Sequence, residues 1–248
     1  MTAIVSAYTP QGFVIAADGL RRGSAGCVIS NTARKIFQVE RGQLSLAFAW
    51  TGATSLYASN GEVIFDFIEQ SKSAIDALMN VQMDEVCGPF RYVSAFLNTM
   101  YESFERCNGG STLSGETDGL PREEIARAVF VGYSYGVPYR AKVSFPRQGC
   151  AVLKPCLMEL IQSPYDFDTF SGSIATNALF APRLKYAPAS IETAAALVRD
   201  YVQLCIDNPT HDEECEKIGG HIHIAAVTPE GFQWLIPPEP DTPRESCI

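Results

Sequence analysis

The residues with the clearest chemical potential stand at the start of the chain, where Met1 precedes Thr2. Thr2 is small, and an initiator methionine before such a residue is normally removed. The exposed threonine would then carry a hydroxyl and an α-amine, whose pKa of about 8 lets it act as general base for its own side chain. Thr2 is therefore a candidate nucleophile, although ordinary frayed N-termini also begin with Met-Thr.

Two charged residues could tune that amine. Asp18 lies at the end of the second predicted strand, and Lys35 lies at the start of the third. A cation close to the amine would lower its pKa and keep it neutral, and a carboxylate would orient the cation. This arrangement requires the first three strands to be neighbours.

Other catalytic patterns are missing from the sequence. It contains no G-x-S-x-G, no G-x-x-x-x-G-K-[ST] and no H-E-x-x-H motif. None of the three histidines lies in the first 210 residues, which makes a Ser-His-Asp arrangement hard to assemble. His221 and His223 would face one side of a strand, but no third metal ligand lies within reach in the sequence. We therefore predict neither a metal nor a cofactor.

Composition restricts the possible partners and compartments. With 46% hydrophobic and 19% charged residues the chain is typical of a globular protein, and its net charge of −9 argues against nucleic acid. No apolar stretch reaches the roughly 20 residues of a membrane span, and the N-terminus does not resemble a signal peptide. The eight scattered cysteines are interpreted as buried free thiols of a reducing compartment. We therefore predict a cytoplasmic location.

Hydrophobic periodicity predicts a run of strands, two helices, more strands, a further helix and a final hairpin. The predicted helices cover 63–78, 92–104 and 190–206, with Ser190 as the N-cap of the third. The glycine-rich stretch 107–119 is interpreted as an exposed loop. The predicted strands cover 3–8, 13–17, 35–39, 44–49, 128–133, 139–145, 221–227 and 231–236.

This order segregates strands from helices, which favours an α+β fold of antiparallel sheets covered by helices over a doubly wound parallel sheet. Because no linker or internal repeat is visible, residues 2–236 are predicted to form a single domain. The proline-rich segment 237–248 is predicted to be a frayed tail.

Several segments match one known family in their order and near-family spacing. Together they resemble the opening, the middle and the end of a proteasome β subunit or its bacterial relatives, which are N-terminal nucleophile (Ntn) hydrolases. The resemblance covers most of residues 2–236. The segments are Thr2-Ala-Ile-Val, Gly12-Phe-Val-Ile-Ala-Ala-Asp18-Gly, Lys35-Ile-Phe-Gln-Val, Trp50-Thr-Gly52-Ala-Thr, Phe170-Ser171-Gly172-Ser173, Ile218-Gly219-Gly220 and Thr228-Pro-Glu-Gly-Phe.

The resemblance implies roles for four of the matching residues. Thr2 matches the nucleophile, Asp18 its acidic partner without a gap, and Lys35 the catalytic lysine. Ser171 matches the serine that hydrogen-bonds near the amine of the nucleophile. The spacing from Thr2 to Lys35 is one residue longer than usual, so either the preceding loop contains an insertion or Arg34 takes this place. We favour the insertion, because Lys35 directly precedes the apolar pair Ile36-Phe37. An arginine in this place would keep its charge and could not relay a proton.

Two places depart from the family pattern. Thr51 and Gly52 are expected to line the substrate cleft, but the family usually has glycine at position 51, where a backbone N–H stabilises the oxyanion. Thr51 retains that N–H, while its side chain would narrow the approach of substrate.

The second departure precedes Gly219. Active relatives usually carry an aspartate and a serine where this chain has Cys215 and Ile218. Glu214 or Glu216 could replace that support only if the local backbone shifts.

By implication of the resemblance, the fold is a four-layer α/β/β/α sandwich of two antiparallel sheets. The function is then that of a threonine-type peptidase that cleaves peptides or unfolded proteins inside a self-compartmentalised homo-oligomeric ring or spiral. An ATP-dependent unfoldase is a possible partner, and neither nucleic acid nor a membrane is expected. Two alternatives stay open: a weak or inactive proteasome-like scaffold subunit, and an Ntn amidase that acts on small amides.

Overall fold

A computed structural model describes residues 2–23, 26–52, 54–58, 61–80, 88–108, 124–146, 152–157, 167–169, 180–182, 188–208 and 217–240. Three helices lie within these ranges: α1 (Phe67–Asn80), α2 (Pro89–Asn108) and α3 (Ile191–Asp207). The strands are β1 (Ile4–Thr9), β2 (Gly12–Asp18), β3 (Arg21–Arg22), β4 (Val28–Ser30), β5 (Ile36–Arg41), β6 (Leu44–Gly52), β7 (Ser55–Tyr57), β8 (Val63–Asp66), β9 (Glu124–Ser134), β10 (Val137–Pro146), β11 (Val152–Leu157), β12 (Phe167–Thr169), β13 (Ile222–Thr228) and β14 (Gly231–Ile236).

The strands form two five-stranded antiparallel sheets and two small ribbons. The first sheet has the order β12-β1-β2-β13-β14, and the second has the order β11-β10-β9-β6-β5. The ribbons pair β3 with β4 and β7 with β8. The described part of the chain is therefore a mixed fold of helices and antiparallel sheets, as the segregation of strands and helices predicts.

Strand β6 shows how the sequence directs each face of a sheet. Leu46, Phe48 and Trp50 belong to the buried cluster that includes α1 and α2, whereas Ala47 and Ala49 belong to a cluster shared with the first sheet. Because successive side chains point to opposite faces and both faces are buried, the strand is apolar without interruption from Leu46 to Trp50. Its bulky residues contact helices, and its alanines let the other sheet approach.

Three buried clusters make up the core formed by the described residues. The first joins the second sheet to α1 and α2, and the second joins the first sheet to α3. The third combines side chains from both sheets, namely Ile4, Phe13, Ile15, Ala17, Ala225 and Val227 with Ile36, Ala47, Ala49, Val129, Val131 and Tyr133. Among the described residues, each sheet thus shares one buried cluster with helices and one with the other sheet.

The first predicted helix begins later than expected. Residues 63–66 form β8, in which Phe65 pairs with Leu56, and α1 begins at Phe67. The physical reason is the Asp66 carboxylate, which accepts hydrogen bonds from the Ile68 and Glu69 backbone N–H groups and so caps the helix. The apolar spacing of residues 63–78 therefore does not indicate the boundary between strand β8 and helix α1.

The other two helices fall close to their predictions. Helix α2 continues to Asn108 and so includes Cys107, which was expected in the loop; residues 109–119 of that loop lie outside the described residues. The N-cap at Ser190 is confirmed, because its side chain accepts from the Thr193 backbone N–H in a capping box.

The cysteine prediction is partly wrong. Cys205 is a buried thiol as expected, but Cys107 is exposed and Cys27 is disulfide-bonded. Disulfides are rare in reducing compartments. The cysteines therefore no longer support a cytoplasmic location, which stays a prediction.

The beginning of the tail is held against the body, contrary to the predicted fraying. The His221 side chain donates from Nε2 to the Pro237 carbonyl at 2.9 Å, and the Thr32 hydroxyl donates to the Pro240 carbonyl at 3.2 Å. Residues 241–248 lie outside the described residues. None of the described helices is both long enough and apolar enough to cross a membrane.

Candidate active site

The site is organised around the Asp18 carboxylate, which is buried at the end of β2. Its Oδ1 accepts the Ala3 backbone N–H at 2.8 Å. Its Oδ2 accepts the backbone N–H groups of Leu20 and Gly219, each at 3.2 Å. Both oxygens lie 3.1 Å from the Lys35 Nζ. This many donors hold the buried carboxylate in one orientation.

Glycines allow the loop before β13 to close on Asp18. Gly220 has φ +76°, and a Cβ there would lie 2.3 Å from the Asn31 carbonyl oxygen. The Leu20 N–H donates to the Gly219 carbonyl at 2.8 Å, and the His221 N–H donates to the Asn31 carbonyl at 2.7 Å. Of the Gly219-Gly220 pair singled out in the sequence, Gly220 is thus required for a close backbone approach, whereas a Cβ at Gly219 would make only ordinary contact with Leu20.

Lys35 provides the cation. It lies immediately before β5, is 2% exposed, and forms a buried ion pair with Asp18. Burial lowers the pKa of the Lys35 ammonium; Asp18 opposes that shift through charge and hydrogen bonding, and Arg21 adds to it. Arg21 is itself paired with Asp66 and donates to the Ser55 hydroxyl at 2.9 Å.

Arg34, the other cation considered for this position, points elsewhere. Its guanidinium carbon lies 5.8 Å from the centroid of the Phe37 ring and 5.5 Å from that of Trp234. Its Nε donates to the Ile36 carbonyl. Of the two neighbouring cations, it is Lys35 whose side chain contacts Asp18.

Thr2 lies at the centre of these contacts. The peptide group that joins Thr2 to Ala3 is held at both ends, because the Thr51 hydroxyl donates to the Thr2 carbonyl at 3.0 Å while Asp18 accepts the Ala3 N–H. The Thr2 side chain is fully buried, and among the described residues its hydroxyl has no hydrogen-bond partner. Four predicted residues, Thr2, Asp18, Lys35 and Thr51, are therefore brought together.

Thr51 and Gly52 lie at the end of β6, which extends beyond its neighbour β5. The pairing of β6 with β5 ends at Ala49 and Ile36, whereas its pairing with β9 continues to Gly52 and Ala126. Gly52 ends the strand with φ +96°. In the described ladders, the end of β6 thus has a pairing partner on one edge only.

His223 is a site residue that sequence reasoning missed. It lies on β13, is fully buried, and accepts the Lys35 backbone N–H at Nε2 with a separation of 3.1 Å. Burial lowers the His223 pKa to about 3, assisted by the charges of Lys35, His221 and Arg34, so the ring is neutral at pH 7. The available signal was a histidine within an apolar strand, which sequence analysis considered only as a metal ligand.

The remaining predicted positions divide into two groups. Ser171, Cys215, Glu214 and Glu216 lie outside the described residues. Ile218 is described: it is 5% exposed and packs in the cluster that contains Ala3 and α3. In the described ranges, no three His, Cys, Asp or Glu side chains form a group that could hold a metal ion.

Comparison with solved structures identifies the fold. The chain is similar to a Gly-1 mutant of Anbu from Hyphomicrobium sp. strain MC1, with a TM-score of 0.61 and 12% identity over 100% of this chain and 88% of that one. It is also similar to Anbu, an ancestral beta-subunit, from Yersinia bercovieri, with a TM-score of 0.59 and 10% identity over 95% of this chain and 87% of that one.

At these identities the likeness shows a common fold. No protein-family model matches the chain, and no curated protein matches it either.

Because His223 is buried, we predict that the folded state becomes less stable in acid. Its folded-state pKa of about 3 lies below the ordinary value of 6.5, so between these values the unfolded chain binds a proton that the folded chain does not. This contribution is fully present above pH 6.5 and is lost as the pH falls. Between pH 7.5 and pH 5 it decreases the free energy of unfolding by about 2 kcal/mol.

The measurement is urea unfolding of the wild type and of His223→Gln at both pH values. The variant should lose about 2 kcal/mol less than the wild type on acidification. Trp234→Phe alters a ring next to His223 without removing a titratable group, so it should keep the wild-type difference. Equal losses in the wild type and His223→Gln would show that His223 is not held neutral.

Proposed function

We propose that this chain is a proteasome-related Ntn subunit with threonine-type peptidase activity, and that Thr2 is its nucleophile. The observation that carries the proposal is the buried Asp18–Lys35 ion pair, which is hydrogen-bonded to the peptide group following Thr2. A buried ion pair is costly unless its geometry is well satisfied. Here it lies beside a threonine hydroxyl that has no partner among the described residues.

The proposed fold is the four-layer α/β/β/α sandwich of a single domain spanning residues 2–236. Its support is the distribution of the three buried clusters, one between each sheet and its helices and one between the sheets. The likeness to the two Anbu chains agrees with this arrangement.

Activity requires that Thr2 become the first residue. While Met1 is attached, the Thr2 nitrogen is an amide and has no basic lone pair. Removal of Met1 supplies the α-amine and takes away atoms that adjoin the fully buried threonine. Lys35 would keep the new amine neutral at pH 7, and Asp18 would fix the position of Lys35.

In the proposed reaction, Thr2 Oγ attacks the carbonyl carbon of a peptide bond while the α-amine takes the hydroxyl proton. The resulting oxyanion collapses, the C–N bond breaks, and the proton passes to the leaving amine. An ester between the acyl group and Thr2 remains. Water then attacks the ester carbonyl carbon and gives up a proton to the α-amine. The bond between the acyl carbon and Thr2 Oγ breaks, the amine returns the proton to Oγ, and the acyl group leaves as a carboxylic acid.

The end of β6 supports a peptide as substrate. Beyond Ala49 the described ladders pair β6 with β9 only, and an extended peptide can hydrogen-bond to such an edge as an added strand. Thr51 and Gly52 would then lie along the bound peptide, and the Thr51 N–H would serve the oxyanion.

A second candidate is a catalytically weak or inactive scaffold subunit. Ile218 favours it, because this residue lies where active relatives carry a serine and its side chain is packed in an apolar cluster with Ala3. An apolar side chain there cannot donate to the amine of Thr2. Support for Thr2 would then depend on Asp18, Lys35 and Thr51.

The nucleophile is tested by intact mass after incubation with a threonine-directed electrophile. The wild type should lose Met1 and gain one adduct, whereas Thr2→Ala should gain none, because the attacking oxygen is gone. Thr99→Ala removes another threonine hydroxyl, on α2, and should keep the adduct. A wild type that loses Met1 but gains no adduct favours the scaffold, and an adduct in Thr2→Ala contradicts the assignment.

The cation is tested by a neighbouring pair of substitutions. Lys35→Ala should slow electrophile labelling and peptide hydrolysis by about two to four orders of magnitude, the usual range for losing acid–base support. Arg34→Ala should change both rates less than about threefold, because the Arg34 guanidinium stacks on Phe37 and Trp234. Circular dichroism checks that each variant is folded. Greater sensitivity at Arg34 would show that Lys35 is not the tuning cation.

The proposed assembly is a homo-oligomeric ring or spiral that encloses the site, to which an ATP-dependent unfoldase could deliver unfolded proteins. A compartment of this kind admits only extended chains, so folded proteins are not cleaved. On size exclusion with light scattering, the protein should elute at a mass several times its 27.0 kDa. A strictly monomeric protein that still labels at Thr2 would instead support the small-amide hydrolase.

A further inference from the structure

We propose that His223 is a positioning residue that fixes the main chain of Lys35, and through it the direction in which the lysine reaches the Thr2 site. The proposal rests on the function proposed above for its catalytic consequence. Its geometric part rests only on contacts between the two sheets.

The first step concerns the hydrogen-bond partner of the Lys35 backbone N–H. The β5–β6 ladder begins at Ile36, so this N–H precedes the strand and is not part of the ladder. A buried backbone donor without a partner is unfavourable by about 1–3 kcal/mol. His223 Nε2 accepts it at 3.1 Å, from a strand of the other sheet.

The second step is that Lys35 is anchored at two points on neighbouring strands. Its ammonium contacts Asp18 on β2, and its backbone N–H contacts His223 on β13. In the register of β2 and β13, His223 lies opposite Ala17 and Ile222 lies opposite Asp18. Both contacts therefore lie at the same end of the first sheet. Together they fix where the Lys35 side chain reaches from the second sheet to the first.

The third step concerns the proton on the ring. Because Nε2 accepts, the proton of the neutral imidazole must be on Nδ1, which is buried and has no hydrogen-bond partner among the described residues. The charges of Lys35, Arg34 and His221 oppose a second proton on the ring, and together with burial they outweigh the His221 backbone, which favours it. His223 thus acts as an acceptor whose charge does not change near pH 7.

These steps separate a positioning role from simple packing. An apolar replacement would fill the same space but leave the Lys35 N–H without an acceptor. Glutamine places an amide oxygen close to the position of Nε2, whereas asparagine is one carbon shorter and falls short of it. His223→Leu and His223→Asn should therefore behave alike, and His223→Gln should restore the wild-type properties.

The structural part of the test is NMR on the whole protein. Wild-type His223 should show the Nδ1–H tautomer, with Nε2 as acceptor, and the Lys35 amide should be protected from hydrogen exchange. In His223→Leu and His223→Asn that amide should exchange at least about tenfold faster relative to neighbouring β5 amides, the effect of one lost hydrogen bond. In His223→Gln its protection should remain. A wild-type Nε2–H tautomer, or unchanged protection in His223→Leu, overturns the proposal.

The functional part is the pH dependence of electrophile labelling and peptide hydrolysis. His223→Leu should lower kcat about tenfold with little change in KM and should displace the pH profile of labelling, because the lysine no longer has a fixed place beside the amine. His223→Gln should recover both. A merely structural role would lower the active fraction without displacing the profile, and that result overturns the proposal.

The two hypotheses fail differently. If the wild type shows no labelling at any pH, the proposed activity fails, while the tautomer and the Lys35 exchange still decide whether His223 positions Lys35. If His223→Leu does not fold, the comparison of His223→Asn with His223→Gln gives the same decision.

Discussion

One buried carboxylate holds together chain segments that are far apart in the sequence. Asp18 receives hydrogen bonds from Ala3, Leu20, Lys35 and Gly219, so the N-terminal segment, the end of β2, the entry to β5 and the entry to β13 meet at one side chain. Burial of an unpaired carboxylate would be prohibitive, and these donors compensate it. Displacement of any one segment therefore disturbs the surroundings of the other three.

The sheets supply the rigid frame that this carboxylate needs. Ala47 and Ala49 on β6 face the first sheet, and small side chains on this face let the two sheets approach. The opposite face of β6 carries Phe48 and Trp50, whose rings pack against Phe96 of α2. The Trp50 indole N–H donates to the buried Ser71 hydroxyl on α1, so the polar atom of this large ring is satisfied. Large residues toward the helices and small ones toward the other sheet thus determine the position of the end of β6.

Much of this arrangement could be predicted from the sequence because it depends on local patterns. Apolar runs separated by turn residues gave the strands around Asp18 and Lys35, and the resemblance brought Thr2, Asp18 and Lys35 to one place. The β8–α1 boundary was missed because Val63 and Ile64 continue the apolar spacing of α1, while the actual signal was a single capping carboxylate at Asp66. Helix periodicity alone does not register such a cap.

His223 and Cys27 were missed for a different reason. The roles of both depend on partners that are not neighbours in sequence: His223 binds a backbone N–H across the gap between two sheets, and Cys27 is cross-linked. Likewise, the hydroxyl of Thr51 was expected only to narrow the cleft, whereas it binds the Thr2 carbonyl. Because main-chain atoms are the same in nearly every residue, contacts to them leave no pattern in the amino-acid sequence.

The way in which Thr2 is held has a consequence for substitution at this position. Thr51 binds the Thr2 carbonyl oxygen and Asp18 binds the Ala3 amide nitrogen, so both contacts are to main-chain atoms and neither involves the Thr2 side chain. These two contacts therefore hold residue 2 without regard to its side chain. Under the proposed function, serine or cysteine at position 2 would occupy the same place relative to Lys35, and the attacking atom could change while the surrounding frame stays the same.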